Sequence, residues 1–338
     1  YNKINSEELK LALANEPFER ITASFYKYVD ISVPNELRDE LYEVWNQMGV
    51  FGRVYIADEG INAQVSIPEQ NWEIFKDSVR SNDLFRNIII KQAIQEGSSF
   101  YKLKIKVRKE LVAYNVPKES YDMKKIGNHL TASEYNLAIE SKDSTIVDMR
   151  NYYESEIGRF ENAIIPDVET SKELLPEVKK LLKGKENEKI LLYCTGGIRC
   201  EKASSYLIKS GFKDVSQLQG GIIQYAHEIK SKAMESKFRG KNFVFDDRLG
   251  ERITDDVLAL CHICGDSCDD HTDCKNDACH ILFIQCKKCN KLYNGCCSRE
   301  CQDFAALPIE KQKKLRKDPE RIISRTFFDS RIKPRMDN

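Results

Sequence analysis

The stretch Lys189-Ile-Leu-Leu-Tyr-Cys194-Thr-Gly-Gly-Ile-Arg199-Cys200, continued by Glu201-Lys-Ala-Ser-Ser-Tyr-Leu-Ile-Lys-Ser-Gly211, decides the fold of the central part of the chain. Residues 190–193 form an unbroken apolar run, which is typical of a strand buried on both faces of a parallel sheet. Residues 201–210 favour a helix that Gly211 ends. The sequence therefore predicts that Cys194 lies where a strand turns into a helix.

Three features of this loop favour a thiolate at Cys194. Gly196 and Gly197 let the backbone curl with its N–H groups pointing inward, the following helix presents its positive end, and Arg199 adds a full charge. We therefore predict that Cys194 is a nucleophile with a lowered pKa and that Arg199 is its catalytic partner. The other residues predicted to support the loop are Thr195, Ile198 and Cys200.

The loop is shorter than the corresponding loop of cysteine phosphatases. Those enzymes use Cys-x5-Arg, which is wide enough for a phosphate, whereas only four residues separate Cys194 from Arg199. The tighter loop suits one added sulfur or a small anion, and it resembles the active-site loop of rhodaneses, sulfurtransferases whose cysteine carries a persulfide. Cys200, at the end of the loop, either resolves an oxidised Cys194 or packs at the start of the helix.

The composition indicates a globular protein of two or three domains. The chain has 338 residues, of which 41% are hydrophobic and 31% are charged, and no apolar run reaches membrane-spanning length. Lys+Arg and Asp+Glu balance at 53 each, so a nucleic-acid partner would have to be bound by a local patch. We expect no signal peptide at Tyr1, no membrane contact and a cytoplasmic location. The sequence does not indicate whether the protein is a monomer or an oligomer.

Residues 1–115 predict a ferredoxin-like β-α-β-β-α-β domain, because short alternating and helical patterns follow one another in that order. A short amphipathic helix precedes this pattern and one further strand follows it. The predicted elements are a helix at 7–14, a strand at 21–28, a helix at 35–47, strands at 52–57 and 62–67, a helix at 69–79, and strands at 88–93 and 101–107.

The last of these strands makes one face of the sheet basic. Leu103, Ile105 and Val107 alternate with lysines, so the lysines project from the opposite face. This basic stripe either binds a nucleic-acid backbone or is a solvated sheet face, and charge alone does not separate the two interpretations. The candidate nucleic-acid contacts are Tyr26, Lys27, Arg53, Lys102, Lys104 and Lys106.

Residues 130–232, after a linker at 116–129, predict an α/β domain with a parallel sheet, because strands alternate with helices. Active residues in such sheets gather at the carboxyl ends of the strands, so we expect Asp148 and Arg150 to share an edge with Cys194. Arg150 either supports the loop, binds an anion or forms a structural pair with a nearby acid. Besides the Cys194 strand and helix, the predicted elements are a strand at 145–148, a helix at 173–183 and a strand at 215–218.

Ten of the twelve cysteines lie within residues 261–302, which follow a connecting segment at 233–260. Two Cys-x2-Cys knuckles, Cys261/Cys264 and Cys286/Cys289, predict a zinc-ribbon-like segment, and two four-coordinate sites would use eight of the ten cysteines. We expect the knuckles to pair with later cysteines, although the grouping is left open. The candidate zinc ligands are Cys261, Cys264, Cys268, Cys274, Cys279, Cys286, Cys289, Cys296, Cys297 and Cys301.

Two features of the C-terminal part leave alternatives open. His271-Thr-Asp273, with His280 downstream, has the composition of a two-histidine, one-carboxylate iron site, which is a rival to zinc ligation. Residues 303–338 form a basic tail, and its part from Ile309 onward has ten Lys/Arg against five Asp/Glu. Such a tail either binds an anionic polymer or is merely solvated.

Five sequence motifs and the cysteine-rich block carry a resemblance that covers nearly the whole chain. The motifs are Phe25-Tyr-Lys-Tyr28, Phe51-Gly-Arg-Val-Tyr-Ile-Ala-Asp-Glu-Gly-Ile-Asn-Ala-Gln64, Val147-Asp-Met-Arg-Asn151, Tyr193-Cys-Thr-Gly-Gly-Ile-Arg-Cys-Glu-Lys-Ala-Ser204 and Gly240-Lys-Asn-Phe-Val-Phe-Asp246. Together they resemble the TrhO (formerly YceA) family, rhodanese-domain tRNA uridine(34) hydroxylases. The resemblance implies oxygen-dependent conversion of uridine 34, the wobble base of certain tRNAs, to 5-hydroxyuridine, with Cys194 as the catalytic cysteine and the anticodon region as partner.

The residues themselves do not predict hydroxylation. The resemblance implies molecular oxygen as co-substrate, yet no glycine fingerprint of a flavin or nicotinamide site is present. The Cys194 thiolate either adds to C6 of the uracil and makes C5 electron-rich or passes through an oxidised sulfur state. The alternative functions are a sulfurtransferase with a persulfide on Cys194 and a non-catalytic RNA-binding module.

Overall fold

A five-stranded sheet with the order β4-β1-β3-β2-β5 forms the N-terminal part of the computed structural model, which describes residues 6–141, 143–168 and 170–316. Its elements are α1 (Ser6–Ala14), β1 (Arg20–Tyr28), α2 (Pro34–Gln47), β2 (Phe51–Ala57), β3 (Gly60–Pro68), α3 (Trp72–Ser81), β4 (Lys91–Gln92) and β5 (Leu103–Val107). The first four strands are antiparallel neighbours, and β5 extends the sheet by pairing parallel to β2. The predicted ferredoxin-like order of elements is confirmed.

The two faces of this sheet differ in chemistry. Helices α2 and α3 cover one face, where Phe25, Trp45 and Phe75 lie in ring contact within a buried apolar cluster. Alternation along the strands places polar side chains such as Arg53 and Asn62 on the opposite face. That polar face is turned towards the Cys194 loop.

Two predicted elements of this region differ from the structure. The strand expected at 88–93 is reduced to β4, because Asn87 adopts a left-handed conformation (φ 64°) and the N–H of Ile88 turns back to the carbonyl of Phe85. The helix expected at 69–79 begins only at Trp72, after a single 3₁₀ turn. Both differences shift the ends of elements and leave their order unchanged.

The central part of the chain forms a four-stranded parallel sheet with the order β6-β10-β9-β7. Its elements are β6 (Asn128–Leu130), α4 (Ala132–Ile139), β7 (Ser144–Asp148), α5 (Tyr152–Glu156), β8 (Gly158–Phe160), α6 (Ser171–Leu181), β9 (Lys189–Tyr193), α7 (Ile198–Lys209), β10 (Asp214–Leu218) and α8 (Gly221–Ser231). Residues 190–193 of β9 are completely buried between β10 and β7. Cys194 therefore lies at the carboxyl end of an interior strand.

The C-terminal part adds strands where the sequence predicts a connecting segment. Its elements are β11 (Phe238–Asn242), β12 (Glu251–Arg252), β13 (His271–Asp273), β14 (Leu282–Ile284), α9 (Lys287–Leu292), α10 (Arg299–Ala305) and α11 (Ile309–Arg316). Strand β11 pairs antiparallel with β8 and so attaches the cysteine-rich segment to the central part. The remainder of the predicted basic tail, residues 317–338, lies outside the described residues. No helix in the described part of the chain is long and apolar enough to cross a membrane.

Candidate active site and cysteine clusters

The Cys194 side chain is fully buried beneath its loop, and its sulfur accepts a hydrogen bond of 3.1 Å from the N–H of Gly197. Burial by itself raises the pKa of this thiol. The Cys200 thiol, the charge of Arg199 and the N–H groups of Gly197 and Arg199 outweigh burial and lower the pKa of Cys194 to about 6. Cys194 is therefore mainly a thiolate at neutral pH. Cys200, also fully buried, has its pKa raised well above the usual thiol value by burial and by Cys194, so it remains a thiol.

The loop rests on the beginning of α8. The N–H groups of Ile222 and Ile223 donate to the carbonyls of Cys194 and Thr195 at 3.0 and 3.2 Å. Gly221 permits this contact, since its φ is +70° and a Cβ there would lie 2.6 Å from the carbonyl oxygen of Cys194. Because α7 begins at Ile198, Arg199 and Cys200 lie in the first turn of that helix, earlier than predicted.

Arg199 is held by a carboxylate that the sequence analysis did not single out. Its guanidinium donates to both oxygens of Glu154 at 2.6 and 2.8 Å, and also to Thr195 Oγ1 at 3.2 Å. Glu154 is completely buried and also accepts from the N–H of Asn151 at 3.0 Å. The Asn-x-x-Glu spacing of a helix N-terminus was the available signal for Glu154.

Asp148 and Arg150 form a second buried ion pair. Arg150 donates to both carboxylate oxygens of Asp148 at 2.9 and 2.7 Å and to the carbonyl of Gly158 at 2.6 Å, and both side chains are 0% exposed. Asp148 ends β7, which neighbours β9 in the parallel sheet. The two residues share the sheet edge with Cys194, but Nε and Nη2 of Arg150 are directed to Asp148 and to β8.

Side chains from the N-terminal part contact the outer side of the loop. Tyr26 packs against Gly197, whose φ is +102° and where a Cβ would lie 2.7 Å from the tyrosine hydroxyl. The remaining contacts run from Tyr26 Oη to Glu201 Oε1 (2.8 Å), from Lys91 Nζ to Gly196 O (2.6 Å), from Tyr114 Oη to Arg199 O (3.0 Å) and from Tyr28 Oη to Ile198 O (3.4 Å). The loop is therefore enclosed by two parts of the chain.

A cavity of about 340 Å³ lies between the loop and the polar face of the N-terminal sheet. Aromatic, amide and charged side chains from both parts of the chain line it. A second cavity, of about 710 Å³, adjoins it and shares Arg53, Asn151, Phe245 and Asp246 with it. Residues that line the first cavity include Ser24, Tyr26, Arg53, Tyr55, Asn62, Gln64, Lys91, Thr195, Gly196 and Arg199.

Strand register aligns one residue from each of the five strands across the polar face. The partners are Lys91, Ser24, Gln64, Arg53 and Lys104, in order from the loop to the outer edge. Neighbouring strands lie about 4.8 Å apart, so this row extends about 19 Å. We call it the Lys91–Lys104 row.

The predicted nucleic-acid contacts are only partly brought together. Arg53, Lys102 and Lys104 line the larger cavity, and partial burial together with the charges of Lys102, Lys106 and Arg53 lowers the pKa of Lys104. Tyr26 packs on the Cys194 loop. Lys27 alternates away from the polar face and donates to the carbonyl of Arg86 at 2.9 Å.

Eight of the ten C-terminal cysteines form two groups of four sulfurs, and all the sulfurs within a group lie within 4.8 Å of one another. The first group unites both knuckles, because Cys286 donates its N–H to the sulfur of Cys261. The second consists of Cys274, Cys279, Cys297 and Cys301. Two groups of four match the expectation that two sites use eight of the ten candidates, and Cys268 and Cys296 lie outside both groups. The second knuckle combines with the first instead of with later cysteines.

The donor sets fit a tetrahedral ion. Metal–sulfur distances of about 2.3 Å separate four tetrahedral sulfurs by about 3.8 Å. The Sγ atoms of Cys264 and Cys286 lie 3.7 Å apart, and those of Cys279 and Cys297 also lie 3.7 Å apart. Among the described residues, the groups with metal-ligand geometry are these two, and His271, Asp273 and His280 do not form a third.

Family comparisons divide the chain in the same way as the structure. Residues 20–111 match the UPF0176 acylphosphatase-like domain, residues 131–228 match the rhodanese-like domain, and residues 239–302 match the rhodanese C-terminal family. The rhodanese-like match includes Cys194 and three strands of the parallel sheet, β7, β9 and β10.

Curated relatives match along almost the entire chain. A protein of Leptospira interrogans named tRNA uridine(34) hydroxylase is 50% identical over 99% of this chain and 92% of its own length. One of the same name from Photorhabdus laumondii is 47% identical over 94% of this chain and 90% of its own. Among solved structures, a thiosulfate sulfurtransferase from Pseudomonas aeruginosa matches 34% of this chain and 20% of its own, with 18% identity and a TM-score of 0.28.

Proposed function

The chain belongs to the tRNA uridine(34) hydroxylase family, and we infer that it is an enzyme that hydroxylates uridine 34, the wobble base of tRNA, with Cys194 as its reacting residue. The observation that carries the role of Cys194 is its sulfur, which is held as a thiolate with a pKa of about 6 in a loop that borders a cavity. A lowered pKa makes a cysteine nucleophilic at neutral pH. Arg199 and the loop N–H groups stabilise the anion.

The 340 Å³ cavity is the proposed site of the uracil. Enzymes that modify a base inside a folded nucleic acid turn the nucleotide out into a pocket, where its edge is read by hydrogen bonds and its face by stacking. Asn62 and Gln64 offer amide groups for the uracil edge, and Tyr55 offers an aromatic face. The loop residues Thr195 and Gly196 border the same space, so a base bound there lies next to the loop.

The Lys91–Lys104 row and the larger cavity are the proposed path of the anticodon loop. Positive charge on Arg53, Lys102 and Lys104 suits the phosphates on either side of the modified nucleotide. Tyr101 and Phe245 also line the larger cavity and offer rings for neighbouring bases. In this proposal, two of the predicted nucleic-acid contacts do not bind tRNA: Tyr26 contacts the Cys194 loop, and Lys27 lies away from the proposed path.

The proposed reaction uses molecular oxygen. One oxygen atom enters at C5 of uridine and the other leaves as water, so two electrons and two protons must come from a reductant. Two routes employ Cys194: its thiolate adds to C6 and makes C5 electron-rich, or its sulfur passes through an oxidised state. Since Cys194 is buried beneath the loop, either route requires the loop to open or a persulfide sulfur to extend the side chain by about 2 Å.

The two four-cysteine groups are proposed zinc sites with a structural role. Four thiolate ligands close the coordination sphere, which is typical of structural zinc. Cys261, Cys264, Cys286 and Cys289 would hold one ion, and the second group the other. Metal would then stabilise a segment that β11 connects to the central sheet. The location proposed for the enzyme is the cytoplasm, where tRNA is available and thiols remain reduced.

Isotope labelling tests the reaction. Uridine 34 modified by the protein under heavy-isotope dioxygen should become 5-hydroxyuridine that carries the label, and none should come from heavy water. High-resolution mass detection is required, because replacing a uracil oxygen by sulfur changes the nominal mass by the same amount as inserting oxygen. A sulfur-containing product, or a product formed equally well without oxygen, would favour the sulfurtransferase that the rhodanese-like loop suggests.

The tRNA path can be tested with two lysine variants. Lys104→Ala should weaken tRNA binding several-fold at low salt and reduce its salt dependence by about one unit of log–log slope, because one phosphate contact is lost. Lys180→Ala is the matched control, since Lys180 lies exposed on α6 and pairs with Glu177. Equal binding by both variants in filter or fluorescence titrations would place the anticodon loop elsewhere.

A further inference from the structure

The balance of charge around Cys194 differs from the one that the loop sequence suggests. Arg199 is only 8% exposed and forms a bidentate ion pair with the buried Glu154. Glu154 offsets part of the positive charge of Arg199, although Arg199 still lowers the pKa of Cys194. A second cation near the loop would add to this stabilisation of the thiolate.

Lys91 is that second cation. It lies on β4 at the edge of the N-terminal sheet, is 6% exposed, and donates from Nζ to the carbonyl of Gly196 at 2.6 Å. Its Nζ also lies 4.9 Å from the centre of the Tyr26 ring. Among the residues that the structure describes, Lys91 has no carboxylate within ion-pair distance. Burying a cation without such a partner is unfavourable unless another anion compensates for it.

The anions that act on Lys91 are those of the Cys194 site. Burial lowers the pKa of Lys91 to about 8, while Cys194 and Glu201 act in the opposite direction. Glu201 is already bonded to Tyr26 at 2.8 Å and to His129 at 2.9 Å. The Cys194 thiolate and Glu201 are therefore the two anions that compensate the buried charge of Lys91. Between about pH 6 and pH 8, Cys194 is a thiolate and Lys91 is still protonated.

We propose that Lys91 is a positioning residue: it fastens the Cys194 loop to the N-terminal sheet through Gly196 and supplies positive charge that helps to keep Cys194 a thiolate. The inference rests on Cys194 being the reacting residue in the proposed function. It follows that the reactivity of the cysteine depends on a residue outside the rhodanese-like domain. Lys91 also lines the cavity proposed for the uracil, so its ammonium group would lie close to a flipped uridine.

Other groups facing the sulfur limit what Lys91 can change. Cys200, in α7, donates a hydrogen bond to Cys194, and Arg199 with Glu154 contributes a nearly neutral pair from α7 and α5. From the N-terminal sheet, Tyr26 is bonded to Glu201 and has its own pKa raised well above the usual range by burial and by that carboxylate. Removing the charge of Lys91 should raise the pKa of Cys194 without abolishing its ionisation.

The test is a thiolate titration of the full-length, metal-loaded protein without tRNA. Thiolate ultraviolet absorbance is measured against pH for each protein, and the absorbance of the same protein carrying Cys194→Ser is subtracted from it, so the contribution of the C-terminal cysteines cancels. The native inflection is expected near pH 6. Lys91→Met should move it upward by about one pH unit, and Lys91→Arg should restore it to within a few tenths of a unit.

Two further variants make the outcome decisive. Lys91→Gln keeps a donor for Gly196 but removes the charge, so it should titrate like the methionine variant if charge is responsible. Lys104→Met, at the other end of the Lys91–Lys104 row, should leave the inflection unchanged. An unchanged inflection in folded Lys91→Gln or Lys91→Met protein would overturn the proposal. Because no tRNA is present, this result is independent of whether the protein hydroxylates uridine.

In the hydroxylation assay, Lys91→Met should lose activity by about threefold at pH 6.5 and recover most of it at pH 8, as a one-unit rise in the pKa of Cys194 from about 6 requires. A role confined to holding the structure would lower activity equally at both pH values. That pattern, with normal thiolate titration, would contradict the assignment of charge stabilisation to Lys91.

Discussion

Cysteine occurs in two settings in this protein, and the surroundings of the sulfur give it two kinds of chemistry. In the Cys194 loop, one sulfur is buried among N–H groups, a neighbouring thiol and cationic side chains. In the C-terminal segment, sulfurs face one another in two groups of four. A single stabilised thiolate is available to react, whereas four converging thiolates favour a metal ion that makes them unreactive.

The two settings also differ in what holds them together. The Cys194 loop is enclosed by ion pairs and hydrogen bonds from two parts of the chain, among them Glu154 from α5 and Lys91 from β4. The cysteine groups lie among short strands and helices, and the second group has few large apolar side chains around it besides Ile281 and Phe283, whereas the first also packs against Ile157, Phe243 and Ile284. We therefore expect the loop to keep its form without metal and the C-terminal segment to lose its form.

The largest expected effect is that of Cys194→Ser. A hydroxyl in that cradle is far less ionised than a thiol, so formation of 5-hydroxyuridine should fall by at least about a thousandfold. The unfolding temperature and the affinity for tRNA should stay close to those of the native protein. Nucleoside mass spectrometry and a tRNA-binding titration measure the two quantities.

Cys268→Ser is the matched control for this change, because Cys268 is buried but lies outside both the loop and the sulfur groups. It should retain activity. Native-like hydroxylation by the Cys194→Ser protein would remove Cys194 from the mechanism. The loop cysteine would then be no more important for the reaction than Cys268.

A smaller effect on activity, but a direct one on metal content, is expected for Cys289→Ser. Elemental analysis of protein purified without chelator should give about two zinc ions per chain for the native protein and about one for the variant. Proteolysis should become faster within residues 261–302, while Cys194 continues to titrate near pH 6. Native protein that contains no metal and carries disulfides instead would contradict the zinc assignment. Stoichiometric iron that His271→Ala removes together with activity would support the rival iron site.

The smallest expected effect is that of Cys200→Ser. A serine hydroxyl can still donate a hydrogen bond to Cys194, so activity in excess reductant should fall by no more than about threefold. Without reductant, a larger loss would indicate that Cys200 resolves an oxidised Cys194, and no loss would indicate that it only packs. A nearly inactive variant in excess reductant would instead give Cys200 a direct part in the reaction.

Local patterns were sufficient to predict most of the elements. The apolar run before Cys194, the helix after it and the alternation in β5 depend on neighbours a few residues away. Predictions failed where distant contacts decide the length of an element. Strand β4 is an example, because it is limited to the two residues that pair with β1. The same limit applies to the cysteines, because spacing identified both knuckles but not their union in one group.

By itself the sequence determined the order of elements, the position of Cys194 between a strand and a helix, and the presence of cysteine ligand sets. These features follow from local conformational preferences and short spacings. Only the tertiary structure decided which charges surround the sulfur. Glu154 neutralises Arg199 across 45 residues, and Lys91 reaches the loop carbonyl across 105. Electrostatic energy depends on distance in space, so the state of Cys194 follows from how two separate parts of the chain pack together.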